Sequence, residues 1–275
     1  NVGTGLTDTP TLYVDGQKVD ATYDPATGTL TPTTPLANGP HTLSYTLTDA
    51  AGNESDPSPA LNLTVDTSVP TTPAVPSGYA DNIGSVQSTT SSATVTDDDT
   101  PGLNIGTVPA GTAASLYVDG QKVDATYVNG VLTPTMPLAD GPHELSYTLT
   151  NAAGTESAQS PSLSLTVDTL APDTPAAPTS YVDNIGSLQN PASTALTTDD
   201  TAPGLNIGTV PEGTTPSLYV DGVKVAASYV NGVLTPTTPL GDGTHALTYT
   251  LTDAAGNESG QSAALTLVVD TLAPA

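Results

Sequence analysis

Cysteine is absent from these 275 residues, which excludes a disulfide framework and any thiolate-held zinc or iron centre. Phenylalanine and tryptophan are absent too, so a core has to be assembled from Val, Leu, Ile and 11 tyrosines, with Ala and Thr between them. Arginine is missing as well. Three lysines face 28 acids, and the formal net charge of −25 repels nucleic acid and anionic membrane surfaces while attracting cations. No apolar run approaches the roughly 18 residues of a membrane span, and no secretory signal opens the chain. Nucleic-acid binding and membrane insertion are therefore not expected, and the sequence reads as an internal piece of something longer.

What the sequence does contain is repetition. "LYVDG" begins at 12, 116 and 218, the three histidines stand at 41, 143 and 245, and "VDT" begins at 65, 167 and 269. The last two series step by 102 each time, as in 143 − 41 and 245 − 143. The first "LYVDG" is out of step because "YDPATGTL" (23–30) carries two residues more than its counterpart "YVNGVL". A period of this size lies far above the 20–50 residues of solenoids, so each unit is expected to be a self-contained domain. The Pro-rich stretches "DTSVPTTPAVP" (66–76) and "DTLAPDTPAAP" (168–178) exclude helix and serve as semi-rigid spacers. They set expected domains at 1–67, 68–169 and 170–275. The first lacks the counterpart of 68–103, since "NVGTGL" aligns with "NIGTVP" at 104–109.

Inside a unit the apolar period is two. "HELSYTLTNAAG" (143–154) puts Leu145, Tyr147 and Leu149 on one face, and "SLYVDG" (115–120) alternates up to an Asp-Gly turn signal. The pieces "GLNIGTV", "LYVDG", "KVDATYV", "VLTPTMPL", "HELSYTLT" and "LSLTVDT" read as strands, with "PAVPS" a seventh at the start. Helical spacing is nowhere convincing. The expectation is an all-β chain of tandem immunoglobulin-like β-sandwich domains, about seven strands each, arranged as a rod. Pro134 and Pro137 assign "LTPTMPL" to a sheet edge.

In chain order, "DNIG", "TDDTAPG", "LYVDG", "TPTMPLADG", "TDAAGNES" and "VDTLAP" resemble the bacterial Ig-like repeats of giant type I-secreted adhesins, the biofilm-associated and RTX-type adhesins among them. The resemblance covers the whole chain, and the middle copy departs from it at Asn151 and Thr155. It implies a secreted segment on the bacterial cell surface, an extender that holds a distal tip toward host or surface glycans and proteins and supports adhesion and biofilm formation. It also implies calcium at the domain junctions, with neighbouring domains of the same chain as partners.

The residues lead to calcium by a second route. "DAAGNES" occupies 49–55 and returns at 253–259, with "NAAGTES" at 151–157. In immunoglobulin strand order the A–B loop (79–100) and the final "VDT" share one pole, and the "DAAGNES" loop lies at the other with the Pro-rich segment. Head-to-tail stacking then brings acids of two domains together, and clustered carboxylates repel unless a cation neutralises them. Calcium, with six to eight oxygen ligands in flexible geometry, suits such a site. The candidate ligands are Asp49, Asn53, Asp66, Asp81, Asp97, Asp98, Asp168, Asp173, Asp183, Asp199, Asp200, Asp253, Asn257 and Asp270. Glu258 joins them at the 168–178 junction, which is expected to hold calcium more tightly than 66–76, where the facing loop offers Asn151, Thr155 and Glu156. Asp and Asn are also ordinary turn formers, so any one of these residues stands open between ligand and turn.

Catalysis is not expected. His41, His143 and His245 recur with the repeat and are read as structural, no serine sits in a nucleophile-elbow context, and no Gly-rich piece has the setting of a phosphate loop. Lys18, Lys122 and Lys224 fall in "DG-x-KV" on the solvent side of a strand and form no basic patch. The alternative function is a ligand-binding module for a glycan or protein. It would need an exposed aromatic platform, for which Tyr79 and Tyr181 are the candidates.

Overall fold

A computed structural model describes residues 1–273, and every regular element in it is a strand. The described chain packs as two compact units. One comprises Asn1–Thr72 with Ala110–Ala113 and Leu149–Ala158, and the other holds the remaining described residues. The expected third domain, 170–275, ends in two residues that lie outside the described ones.

The first unit opens with β1 (Thr9–Val14), β2 (Gln17–Val19), β3 (Ala21–Asp24), β4 (Thr29–Pro32), β5 (Gly39–Thr48) and β6 (Leu61–Val65). They form a sheet in the order β2-β1-β5-β6 and a separate β3–β4 ribbon. Asp15 and Gly16, at φ 53° and 77°, make the left-handed two-residue turn that matches strand twist, and this fixes the register Leu12↔Val19 and Val14↔Gln17. The two extra residues of this copy widen the β3–β4 turn. There the Asp24 carboxylate accepts the Ala26 N–H at 2.9 Å and the Thr27 hydroxyl at 2.7 Å.

Further along come β7 (Tyr79–Asp81), β8 (Ser88–Ser91), β9 (Val95–Thr96), β10 (Gly102–Asn104), β11 (Thr112–Val118), β12 (Gln121–Val123), β13 (Ala125–Val128), β14 (Val131–Pro134), β15 (Gly141–Asn151) and β16 (Leu163–Val167). Their sheets run β13-β14-β10-β7-β8 and β12-β11-β15-β16-β9. The same plan returns in β17 (Tyr181–Asp183), β18 (Asn190–Ser193), β19 (Thr197–Thr198), β20 (Gly204–Asn206), β21 (Thr215–Val220), β22 (Val223–Val225), β23 (Ala227–Val230), β24 (Val233–Pro236), β25 (Gly243–Thr252) and β26 (Leu265–Val269), in sheets β18-β17-β20-β24-β23 and β19-β26-β25-β21-β22. Two-residue turns with positive φ at Asp119, Asn129, Asp221 and Asn231, each followed by glycine, join the hairpins.

Strand alternation sends one set of side chains between the sheets. Tyr181, Leu205, Leu218, Leu234, Leu247 and Leu267 are buried to 1% exposure or less, and burying a leucine is worth about 1.5–3 kcal/mol. Tyr79, Leu103, Leu116, Leu132, Leu145 and Leu165 fill the same places one repeat earlier.

Three expectations about the strands change. The stretch 79–100 is not one loop, since it carries β7, β8 and β9, and β9 closes its sheet by parallel pairing with β16 through Thr166↔Val95. "PAVPS" forms no strand, because its prolines lack the N–H a ladder needs; only Ser77 reaches β10, donating to the Asn104 carbonyl at 3.0 Å, and the regular strand begins at Tyr79. The "LTPTMPL" strand is internal, with β14 between β13 and β10. Pro134 is its last residue, opposite Ala125 where the ladder ends, and Pro137 lies beyond it.

Candidate functional site

The short strand β7 is paired on both sides, so its alternate residues Tyr79 and Asp81 both point inward, at 0% and 6% exposure. This removes Tyr79 as an aromatic platform, and Tyr181, at 1% exposure, is removed for the same reason. Their hydroxyls donate to the carbonyls of Val95 and Ala195 at 3.4 and 3.1 Å. Asp81 accepts the Thr96 hydroxyl at 2.7 Å and the Ile83 N–H at 3.3 Å. Thr96 in turn accepts the Asp98 N–H, while Asp98 accepts the N–H groups of Asn82 and Thr100 at 3.1 and 2.9 Å. Asp81 and Asp98 thus lock the segments on either side of β8 together.

Asp97 lies between them in sequence and is spent differently. Its side chain packs against Gly84, where a Cβ would stand 1.6 Å from Oδ2. It is 4% exposed, and its Oδ1 is the one buried side-chain oxygen among the described residues without a hydrogen-bond partner. Burial first, then the charge of Asp81, with Asp253 and Asp98 adding, pushes its carboxyl above the usual carboxylate range. Asp97, Gly84 and Ser85 line one side of a cleft of about 400 Å³, and Ala171, Gly256 and Asn257 line the other.

The second wall is the 253–257 loop. Asp253 Oδ1 accepts the N–H groups of Ala255, Gly256 and Asn257, each at 2.9 Å, and Oδ2 accepts the Asn257 carboxamide at 3.1 Å. The carboxylate therefore faces into its own turn. What the loop shows outward is the Gly256 carbonyl, which accepts the Ser85 hydroxyl at 2.8 Å, and the Asn257 carboxamide, which donates to the Asp168 carbonyl at 2.6 Å.

The remaining candidates divide between local turns and this arrangement's counterparts. Asp49 accepts the Ala51 and Asn53 N–H groups and the Asn53 carboxamide, all at 2.9 Å. Asp66 accepts the Ser68 N–H at 2.9 Å and the Asn151 carboxamide at 3.3 Å. Asp168 and Asp270 accept the N–H two residues on, at 3.2 and 3.0 Å. Asp183 and Asp200 repeat the roles of Asp81 and Asp98, through Thr198 and Asn184. Asp199 packs on Gly186 as Asp97 does on Gly84 but is exposed. Asp173 is exposed and does not line the cleft. Among the described residues no group of three or more Asp, Glu, His or Cys side chains stands in a metal-holding array. Sequence reasoning missed Gly84, Ser85, Thr96 and Thr198. The signal was the "DNIGS" string and a threonine two residues before the locking aspartate, a side-chain-to-backbone turn pattern.

The histidines form a separate, thrice-repeated device. His41 Nδ1 donates to Asp15 Oδ2 at 2.7 Å and Nε2 donates to the Ala37 carbonyl at 2.8 Å. His143 does the same with Asp119 and Ala139, both at 2.8 Å, and His245 with Asp221 and Gly241, at 2.8 and 2.9 Å. A carboxylate and a carbonyl are both acceptors, so the doubly protonated ring is the form that satisfies both. The Ala37 carbonyl and then Asp15 hold His41 above the usual histidine range, and Asp221 and then the Gly241 carbonyl do so for His245. For His143, burial pulls down but the Ala139 carbonyl and Asp119 outweigh it. Each latch ties a hairpin turn to the start of the long strand β5, β15 or β25.

Paired antiparallel sheets with buried alternate residues, returning at a fixed period, define a tandem immunoglobulin-like β-sandwich protein. The chain belongs to the bacterial Ig-like domain family, whose model matches residues 5–67, 79–169 and 187–271. No curated protein sequence matches. Among solved structures it is similar to a Bacteroides ovatus mixed-linkage glucan utilization locus protein, SGBP-B, in complex with a mixed-linkage heptasaccharide, at 18% identity over 96% of this chain and 60% of that one, with TM-score 0.24. It is similar to the fibronectin(III)-like modules of Clostridium thermocellum CbhA at 11% identity over 75% and 93%, with TM-score 0.37. A tetra-tandem repeat in the extending region of a large adhesion protein aligns at 19% identity over 98% and 68%, with TM-score 0.23. The chain spans 60% of the length of the first of these.

Proposed function

We propose that this chain is a structural extender of a bacterial surface adhesin, built from domains at 1–67, 68–169 and 170–275 and stiffened by calcium where repeats meet. The observation that carries the calcium reading is Asp97. Its Oδ1 is buried and unpartnered, with the charges of Asp81, Asp253 and Asp98 acting on it. A buried acceptor left unmade costs about 1–3 kcal/mol, and a divalent cation in the adjoining cleft would relieve both the desolvation and the repulsion. The cleft offers Asp97 Oδ1 unpartnered and the Asn257 carboxamide oxygen, while the Gly256 carbonyl already accepts Ser85 and Glu258 Oε1 accepts Thr250, Tyr219 and Lys224, so water would supply much of a hard cation's shell. Calcium accepts such mixed oxygens in flexible geometry, with water completing the shell.

The extender reading is supported by near-identical units and by two hydrogen bonds that seat the 253–257 loop on its neighbouring segment, Ser85 to Gly256 and Asn257 to Asp168. The glycan-binding alternative loses its two candidate platforms, since Tyr79 and Tyr181 are core residues. Extracellular placement on the cell surface, secretion and a part in adhesion and biofilm formation belong to the same proposal. Small-angle scattering with calcium and with chelator tests it: a narrow distribution of long shapes in calcium, broadening on chelation, is the expected result. An unchanged distribution would show that the Pro-rich stretches alone set stiffness.

A further inference from the structure

The loop that reads "DAAGNES" at 49–55 and 253–259 reads "NAAGTES" at 151–157, and the two changed letters rewire what the loop touches. In the 253–259 copy the first residue is spent on its own turn. Asp253 Oδ1 accepts three N–H groups and Oδ2 accepts the Asn257 carboxamide. Reaching the neighbouring segment falls to Asn257, which donates to the Asp168 carbonyl.

In the 151–157 copy one side chain does both jobs. Asn151 Oδ1 accepts the Ala153 and Thr155 N–H groups at 3.1 and 2.8 Å, which holds the turn. Its Nδ2 therefore faces outward, where it donates to the Ser68 carbonyl at 2.9 Å and to Asp66 Oδ2 at 3.3 Å. The other carboxylate oxygen, Asp66 Oδ1, accepts the Ser68 N–H at 2.9 Å and the Ser68 hydroxyl at 2.5 Å. Segment 66–68 and residues 149–158 belong to the same compact unit.

A carboxylate oxygen and a carbonyl oxygen within reach of one point are what a hard cation would bridge. Here the two hydrogens of a carboxamide occupy that point. An aspartate in this position would keep the turn, because Asp49 and Asp253 make it with the same N–H groups. It would also turn an acceptor toward two acceptors, one of them charged.

We propose that the Asn151 carboxamide stands in the place of a cation, clasping the 151–157 loop to 66–68 without metal, and that Asn or Asp at the first position of the loop decides whether this clasp needs calcium. The contrast with the 253–257 loop rests on the calcium reading given above and narrows it. Chelation is felt at 253–257 and not at 151–157, so one chain carries a constant clasp and a calcium-dependent one.

Hydrogen–deuterium exchange on the full chain, in calcium chloride and in EGTA, tests this. In wild type, peptides covering 66–68 and 149–158 are expected to exchange at the same rate in both buffers. Asn151→Asp should speed their exchange in EGTA about tenfold or more, the scale of losing one hydrogen bond to a charged group, and calcium should slow it again. Unchanged exchange in β10 and β14 marks the variant as folded. Wild-type exchange at 66–68 and 149–158 that depends on calcium would overturn the proposal, as would an Asn151→Asp variant that matches wild type in EGTA or stays equally fast in calcium. The 251–260 peptide reads the calcium site separately: no calcium effect there, beside the expected result for Asn151→Asp, would refute calcium at Asp97 and support the Asn151 clasp.

Discussion

Replacing Asp97 by Asn keeps the shape of the side chain and removes its charge. In the native protein this carboxylate is 4% exposed, one oxygen has no partner, and Asp81, Asp253 and Asp98 all raise its pKa. The carboxamide removes the buried charge and its repulsion from Asp81, Asp253 and Asp98, so in EGTA Asp97→Asn should stabilise the fold by about 1–3 kcal/mol, the scale of a buried polar group's desolvation. For a domain of this size that is a rise of roughly 4–8 °C in Tm per kcal/mol. In calcium the order should reverse. Wild type gains RT ln(1 + [Ca]/Kd), about 2.7 kcal/mol at a hundredfold excess over Kd, and the variant, missing its central ligand, gains little. Differential scanning calorimetry of both proteins in both buffers reads this as a crossing of midpoints. A variant less stable than wild type in EGTA by the same margin as in calcium would refute the reasoning, because Asp97 would then be held by contacts that prefer its charge.

Three further outcomes follow from the same geometry. The histidine latches have pKa values raised above 6.5 and their aspartates have values lowered below 3.8. The histidine contribution is therefore full below about pH 6.5 and is lost as pH rises through the folded value, whereas the aspartate contribution is full above about pH 3.8 and is lost as pH falls. Thermal midpoints should plateau between those limits, and a triple His→Gln variant at 41, 143 and 245 should flatten the alkaline limb, which urea titrations across pH will show. Tyr181→Ala should cost about 3–5 kcal/mol as a core truncation, and Tyr181→Phe should cost under about 1.5 kcal/mol, since only the 3.1 Å bond to Ala195 is lost. Gly84→Ala should destabilise by about 1–3 kcal/mol for its positive φ and by more for a Cβ 1.6 Å from Asp97, so it should exceed Gly106→Ala, whose φ is 71° with nothing within 4 Å; chemical denaturation of the pair compares them.

Much of this was written in the residues. The Asp-Gly and Asn-Gly pairs announced hairpins because few other dipeptides accept two left-handed residues, and the period-two leucines gave the buried face. That the 79–100 and 253–257 segments face each other followed from the head-to-tail stacking of repeats, and 28 acids against three lysines marked the acids there as uncompensated. What could not be read was which way each carboxylate turns. Asp253 and Asp49 satisfy their own backbone while Asp97 leaves its Oδ1 unpartnered, and all three are acids in similar strings. The strands β8 and β9 were hidden because "STTSSATVT" has no apolar alternation, their pairing being imposed by β7 and β16. Tyr79 misled because it opens the stretch 79–100, expected to be a loop and so surface, yet two-sided pairing of β7 turns it into the core.

Calcium titrated calorimetrically into the chelator-stripped full chain, beside Asp97→Asn, tests the central claim most directly. Saturable binding by wild type with Kd at or below the millimolar range of extracellular calcium, weakened at least tenfold by Asp97→Asn, is the expected result. Heats no different from dilution, or equal affinity in the two proteins, would contradict it.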